Sequence, residues 1–225
     1  MTVLHLADEG EAADLAAFLS RLLHYDRGAA VRLQAAGTAL AVFGRPPSFE
    51  VLAIRAVRLA KPYEDGLEVT LDVTVSAGEL LESVDDRAAT AAVPTAVTGP
   101  PWAGVLPPRG GWRPERGLPD TDTLRAMVAA AVAEFRSRTE ELPPEDRTRA
   151  GLDRIGREIW SRTVGGTDLP VRAVHAAQSL GFLRPAVGAE EPALVSSGAW
   201  LRLRTPYGSV AVRRGGLGTL GVSVR

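Results

Sequence analysis

The chain changes its period midway. Val31, Leu33 and Ala35 alternate with Arg32 and Gln34, and Leu67, Val69, Leu71, Val73 and Val75 alternate with Glu68, Thr70, Asp72 and Thr74. Successive side chains of a strand point to opposite faces, so this pattern predicts an antiparallel sheet with one buried and one wet face. Ala39–Phe43 and a segment from about Val51 to Leu59 add two further strands, with Gly37 marking a turn. In the second of these, Arg55 and Arg58 fall on opposite faces unless a bulge intervenes. A helix comes first: Leu15, Phe18, Leu19, Leu22 and Leu23 recur at helical spacing, behind a capping box of Asp8 and Glu11. Ser76 and Glu79 form a second capping box, opening a short helix that runs to about Val84.

From Asp120 onward the apolar residues follow the helical period. Leu124, Met127, Val128, Ala131 and Phe135 make one stripe, and Pro143-Pro144 separates it from Leu152, Ile155, Ile159 and Trp160. On that second helix Asp153–Arg157 and Glu158–Arg162 are favourable i,i+4 pairs. A shorter helix is expected over 168–181, with Pro170 in its first turn and Gly181 as its C-cap. Strands then return. Leu201 and Leu203 alternate with Arg202 and Arg204, Thr205-Pro206-Tyr207-Gly208 reads as a turn, Val210 and Val212 begin the partner strand, and Leu220, Val222 and Val224 suggest a last one. The expected fold is α+β: an N-terminal helix plus antiparallel sheet (1–93), a Pro/Gly/Trp-rich crossover loop (94–119), and a three-helix segment with a C-terminal β-hairpin or meander (120–225), the parts able to pack as one domain. Val31-Arg32-Leu33 to Gly37 to Ala41-Val42 echoes Leu201-Arg202-Leu203 to Gly208 to Ala211-Val212, and each follows a helix, which leaves an internal duplication open beside chance.

The crossover holds 7 of the 16 prolines, 5 glycines and two of the four tryptophans, Trp102 and Trp112. Each proline removes a backbone donor and pushes the residue before it out of the helical region, so neither a helix nor a central strand is expected there. Arg109, Arg113 and Arg116 interleave with the tryptophans, a composition found at binding hot spots and suited to cation–π contacts. The other reading has the two tryptophans tucked into the seam between sheet and helices, pinning the crossover. Trp102, Arg109, Trp112 and Arg113 are therefore the candidate partner-binding residues.

Composition narrows the chemistry. With no cysteine, disulfides, thiolate metal sites and cysteine nucleophiles are excluded. Lys61 is the only lysine beside 25 arginines, a bias that reads as high-GC bacterial codon usage. The longest apolar run, Ala126–Ala133, is far short of the roughly 20 residues a bilayer requires, and the early acidic residues leave no signal peptide visible, so a cytoplasmic protein without membrane contact is expected. Net charge is −1, yet residues 1–146 carry 14 basic and 22 acidic side chains while residues 147–225 carry 12 and 5. Such a split implies either docking of the two parts on each other or an anionic partner for the second.

No motif of an enzyme survives inspection. Gly216–Gly221 satisfies GxGxxG, but only four residues follow, too few for the helix that motif must open. Lys61 lacks the glycine-rich approach of a phosphate-binding loop, no GxSxG is present, and His5, His24 and His175 show no metal-ligand spacing. No cofactor or metal is expected, and no catalytic residue is assigned.

On the helix at 168–181, Arg172, His175 and Ser179 share one face, and these side chains are suited to phosphates and base edges. Three helices followed by a hairpin bearing Arg202, Arg204, Arg213 and Arg214 resemble a winged helix-turn-helix over the last third of the chain, with Val164–Thr167 as an approximate turn. The expected function is a non-catalytic interaction or scaffold protein, binding a protein partner or itself through the loop or an exposed sheet surface. The alternative is a DNA-binding regulator using the basic C-terminal part, and the third reading is an enzyme without a recognisable motif.

Overall fold

The computed structural model describes residues 2–65, 68–184 and 191–214. The fold is α+β, with an N-terminal helix, a large antiparallel sheet, helices in the middle of the chain and strands toward its end. After β1 (Val3–His5), α1 spans Glu9–Tyr25 and buries Leu15, Phe18, Leu19 and Leu22. Half of the expected capping box forms at its start: the Asp8 carboxylate accepts the Glu11 N–H at 2.9 Å, while the Glu11 carboxylate turns to Arg55 and Arg58. Next come β2 (Ala30–Ala36), β3 (Ala39–Gly44), β4 (Leu52–Arg58), β5 (Thr70–Ser76) and the short α2 (Ala77–Glu82), capped by Ser76. β6 (Val84–Asp85) and β7 (Thr90–Ala92) join β1 in a small three-stranded sheet that the apolar pattern did not signal.

Near the end of the crossover, β8 (Arg113–Glu115) leads to α3 (Thr121–Glu140), α4 (Arg149–Trp160) and α5 (Val171–Ser179). β9 (Ala193–Ser197), β10 (Trp200–Thr205) and β11 (Gly208–Arg213) complete the described chain. The strand suggested by Leu220, Val222 and Val224, together with the GxGxxG match, lies outside the described residues. At the end of α5 the Phe182 N–H donates to the Ala177 carbonyl at 2.7 Å around Gly181, whose φ of 77° requires the left-handed region.

The main sheet has eight strands in the order β5-β2-β3-β4-β11-β10-β9-β8. It divides into two like halves. In each, a three-strand meander follows a helix that packs on the last strand of the meander: α1 on β4, and α5 on β11. A fourth strand flanks the first strand of each meander, β5 on β2 and β8 on β9. The halves meet where β4 and β11 pair antiparallel, with Ala53 opposite Val210. This repeat matches β2 with β9, so the sequence echo, which aligns β2 with β10, is one strand out of step with it. Short alternating runs of Val, Leu and Arg suit any strand half-buried in this way, and they do not specify which one.

The helices lie on one face, the front, and share with the sheet a single buried cluster that draws on both halves, from Leu15, Val42 and Ala53 to Val174, Leu203 and Val210. α3 and α4 pack on α5 as an outer layer. Arg138 on α3 donates twice to Glu158 on α4, and Arg162 donates twice to Glu134, so the sequence-local Glu158–Arg162 pair belongs to a four-member network. These bonds, led by that of Arg138, hold the Glu158 carboxyl down at about 2. Asp153 pairs with Arg149 rather than with Arg157.

An ionic clasp crosses the seam between the halves. Arg55, in β4 and only 6% exposed, donates to the Tyr207 carbonyl in the β10–β11 turn at 2.7 Å and to Glu11 and Asp14 of α1 at 3.1 and 3.2 Å. Arg58 reaches the same Glu11 at 2.8 Å from the end of the strand, so the two arginines converge on one carboxylate without any bulge in the β3–β4 register. Arg184, from beyond α5, donates to Asp14 at 2.6 Å and lies 3.9 Å from the Tyr207 ring centroid. With Arg162–Glu134 and Arg214–Glu115, these contacts use the charge asymmetry in part for internal docking.

Candidate functional site: the strapped back face of the sheet

Among the described residues, the second face of the sheet, the back, carries no α-helix, only a single 3-10 turn at Pro101–Gly104. It is crossed by the Pro/Gly/Trp-rich segment, which runs as a strap from one edge of the sheet to the other. At the β5 edge the Val97 N–H donates to the Thr74 carbonyl at 2.9 Å, and the Ala103 carbonyl accepts from the Arg32 guanidinium. In mid-crossing Trp102, Leu106 and Trp112 pack on a second apolar cluster of Phe43, Leu52, Ile54, Trp200 and Ala211. At the far edge the Gly110 carbonyl accepts from Ser197 at 3.2 Å, and Arg113–Glu115 then pairs with β9 as the outermost strand. Pro114 is tolerated there because an edge strand has one row of amides without a partner strand.

Both tryptophans are half-buried, so pinning is the role their packing supports. The Trp112 indole donates to the Pro108 carbonyl at 3.0 Å, closing a turn within the strap. Arg109 and Arg113 are exposed. Asp72 is held below the usual carboxylate range, first by the hydrogen bond from Arg32, which grips it through two nitrogens at 2.7 and 2.9 Å, with a smaller contribution from the charge of Arg109.

The strap covers only part of the back face. The register places Ala36, Ala39, Ala41, Ala56, Arg202 and Arg204 on this side, and Ala36, Ala39, Ala56 and Arg204 are exposed. Arg202 Nε donates to the Ser209 hydroxyl at 2.8 Å, and its guanidinium lies 5.8 Å from the Trp112 ring. Burial, then the neighbouring charge of Arg204, lowers its affinity for a proton. Arg213 lies 6.0 Å from the Trp200 ring. The outcome is a floor of alanines on β2, β3 and β4, shared with Gln34 and the base of Arg58, and a row of arginines on β10 and β11, two of them set against indoles.

The residues proposed for nucleic acid are not brought together. Arg202, Arg204 and Arg213 project from the back face, whereas Arg172, His175 and Ser179 sit on α5, in front of the sheet, which stands between the two groups. β10 and β11 lie inside the sheet rather than projecting as a wing. α5 is itself largely core, burying Val171, Ala173, Val174, Ala176 and Ala177. His175 is stacked on Trp160 at 4.8 Å and meets Phe49 edge-on at 5.0 Å, and burial pushes its imidazole below its usual pKa. Arg172 Nε is buried without a partner among the described residues. Arg214 pairs with Glu115 and Asp168.

Sequence reasoning missed the alanine floor and Arg45, which lies just after β3. Alanines in alternating strands carry no signal of which face stays open. Among the described residues, no group of three or more His, Cys, Asp or Glu converges as a metal site, and no helix is long and apolar enough to cross a membrane.

Two family models match the chain. Residues 1–104 match a domain of unknown function, DUF8010, and residues 107–217 match another, DUF8185. The two matches meet inside the strap, so each supplies one half of the continuous sheet. No curated protein matches the chain.

Proposed function

We propose that this is a non-catalytic interaction protein whose partner, another protein with an acidic surface, docks on the part of the back face that the strap leaves open. One observation carries the reading. Ala36, Ala39 and Ala56 are exposed on the same face of the sheet as Arg204 and the indole-backed Arg202, and neither arginine is in ion-pair contact with a carboxylate among the described residues. Arginine and tryptophan dominate the energetics of known interfaces, and a sheet of small side chains lets a partner approach the backbone closely. The strap, in this reading, is a rigid border that holds Trp112 against Arg202.

Affinity capture from the native host, comparing the wild type with Ala56→Glu and Arg204→Glu, tests this. Arg125→Glu on α3 serves as the control on the front. A partner retained by the wild type and the control but lost from both back-face variants is the expected result. A partner profile identical in all four proteins would refute the assignment, and a partner lost only on nuclease treatment would favour nucleic acid instead.

A further inference from the structure

Where the strap leaves the β5 edge it encloses a groove of about 590 Å³ against the α1–β2 turn and the segment that follows β3. Arg45, Asp26, Ser76, Pro47, Val97 and Trp102 are among the residues lining it. Its volume lies within the range of small-molecule sites, and Trp102, Pro47 and the 41% exposed Val97 give it apolar walls.

Arg32, Arg55 and Arg138 are engaged by carboxylates, whereas Arg45, like Arg172 and Arg202, has none among the described residues, and of these three it is Arg45 that lines this groove. Arg45 is half-buried, its Nε is shielded from solvent without a hydrogen-bond partner, and no carboxylate is in ion-pair contact with it among the described residues. Asp26 lines the same groove but is turned to its own loop, where it accepts the Gly28 N–H at 2.9 Å. A half-buried guanidinium that lines a groove without a carboxylate partner is stabilised by an incoming anion, and the planar fork of arginine matches a carboxylate best.

We infer that the groove binds a carboxylate carried on an apolar body, with Arg45 receiving the carboxylate and Trp102 flanking the body. The ligand is either a free organic acid or an acidic side chain on a peptide, and the chemistry of recognition is the same for both. This site is separate from the open back face and does not depend on the function proposed for that face.

The full-length chain, labelled with ¹⁵N, is titrated with benzoate, with the neutral isostere benzamide, and with the peptide acetyl-Gly-Phe-Asp-Gly-amide, following the Trp102 indole and Arg45 Nε–H signals. Saturable shifts of both signals with benzoate or the peptide are expected, and whichever binds more tightly identifies the source. Benzamide should bind about tenfold or more weakly, because it lacks the charge-assisted hydrogen bonds. Arg45→Met should lose affinity by about tenfold or more, Arg45→Lys should retain part of it, and Asp26→Asn, which removes a like charge and keeps the turn's acceptor, should gain severalfold. Circular dichroism checks that each variant is folded. Equal binding of benzoate and benzamide, undiminished binding by Arg45→Met, or no shift with either acid would overturn the inference.

Discussion

Replacing Arg55 with methionine tests whether the two halves behave as one cooperative unit. The wild-type side chain is 6% exposed and makes three hydrogen bonds, to Tyr207, Glu11 and Asp14. Removing one member of a buried ion pair costs about 3–5 kcal/mol when the other charge is left bare. Here the loss is smaller, because Glu11 keeps Arg58 at 2.8 Å and Asp14 keeps Arg184 at 2.6 Å. The Tyr207 carbonyl is left without that donor, which adds about 1–3 kcal/mol, while methionine retains the apolar packing of the arginine stem. The net expectation is a destabilisation of about 2–4 kcal/mol. With a urea slope near the upper end of about 1–3 kcal/mol/M for a chain of this size, the midpoint falls by about 1 M. Fluorescence and circular dichroism should fall together in the wild type and give separate transitions in the variant if the clasp couples the halves. In a double-mutant cycle with Glu11→Gln, the coupling should exceed about 1 kcal/mol and barely change with salt, since the pair is shielded from solvent. A midpoint shift below about 0.3 M, or additive single effects, would refute the reasoning.

Three further outcomes follow from local geometry. Gly208→Ala places a Cβ 2.5 Å from the Phe182 ring at a φ of 155°, so it should destabilise by about 2 kcal/mol or more in thermal unfolding, whereas a neutral substitution would contradict the packing. Trp112→Ala removes a half-buried indole from the back-face cluster and should cost about 2 kcal/mol, with limited proteolysis now cutting between residues 105 and 112 of the strap; unchanged proteolysis would argue against pinning. The imidazole of His175 is easier to protonate in the unfolded chain than in the folded one, so its contribution is fully present above the ordinary value of 6.5 and is lost as pH falls through it. Stability measured from pH 7.5 to 5 should therefore fall less steeply in His175→Phe than in the wild type, and parallel profiles would refute the burial argument.

Several elements were legible because a single period decides them. Leu15, Phe18, Leu19 and Leu22 repeat at helical spacing and form the buried stripe of α1, and Asp8 and Ser76 cap the helices they were expected to cap. The helix expected over 168–181 is shorter, Val171–Ser179, since its first residues form the loop in which Val164 pairs with Leu169. Arg55 and Arg58 do leave β4 on opposite faces, as alternation requires, but the long side chain of Arg58 at the strand end bends around to the Glu11 that Arg55 also meets. The candidate site was half legible. Trp102 and Trp112 stood out by composition, but Arg45 and the alanine floor did not, since small residues and a lone arginine have no pattern of their own.

What the sequence determined by itself was therefore local: where most of the longer strands and helices lie, where α1 and α2 are capped, and that residues 94–119 hold no α-helix and no central strand, although Pro101–Gly104 makes one 3-10 turn. Those features depend on the φ/ψ preferences and spacing of residues near one another in the chain. Only the tertiary structure decided that β4 and β11 join two halves into one sheet, that the strap crosses its back, and that Arg202 and His175 end on opposite sides of it. Contacts between Arg55 and Tyr207 or between Val97 and Thr74 join residues far apart in sequence, and no local period encodes which distant surfaces meet.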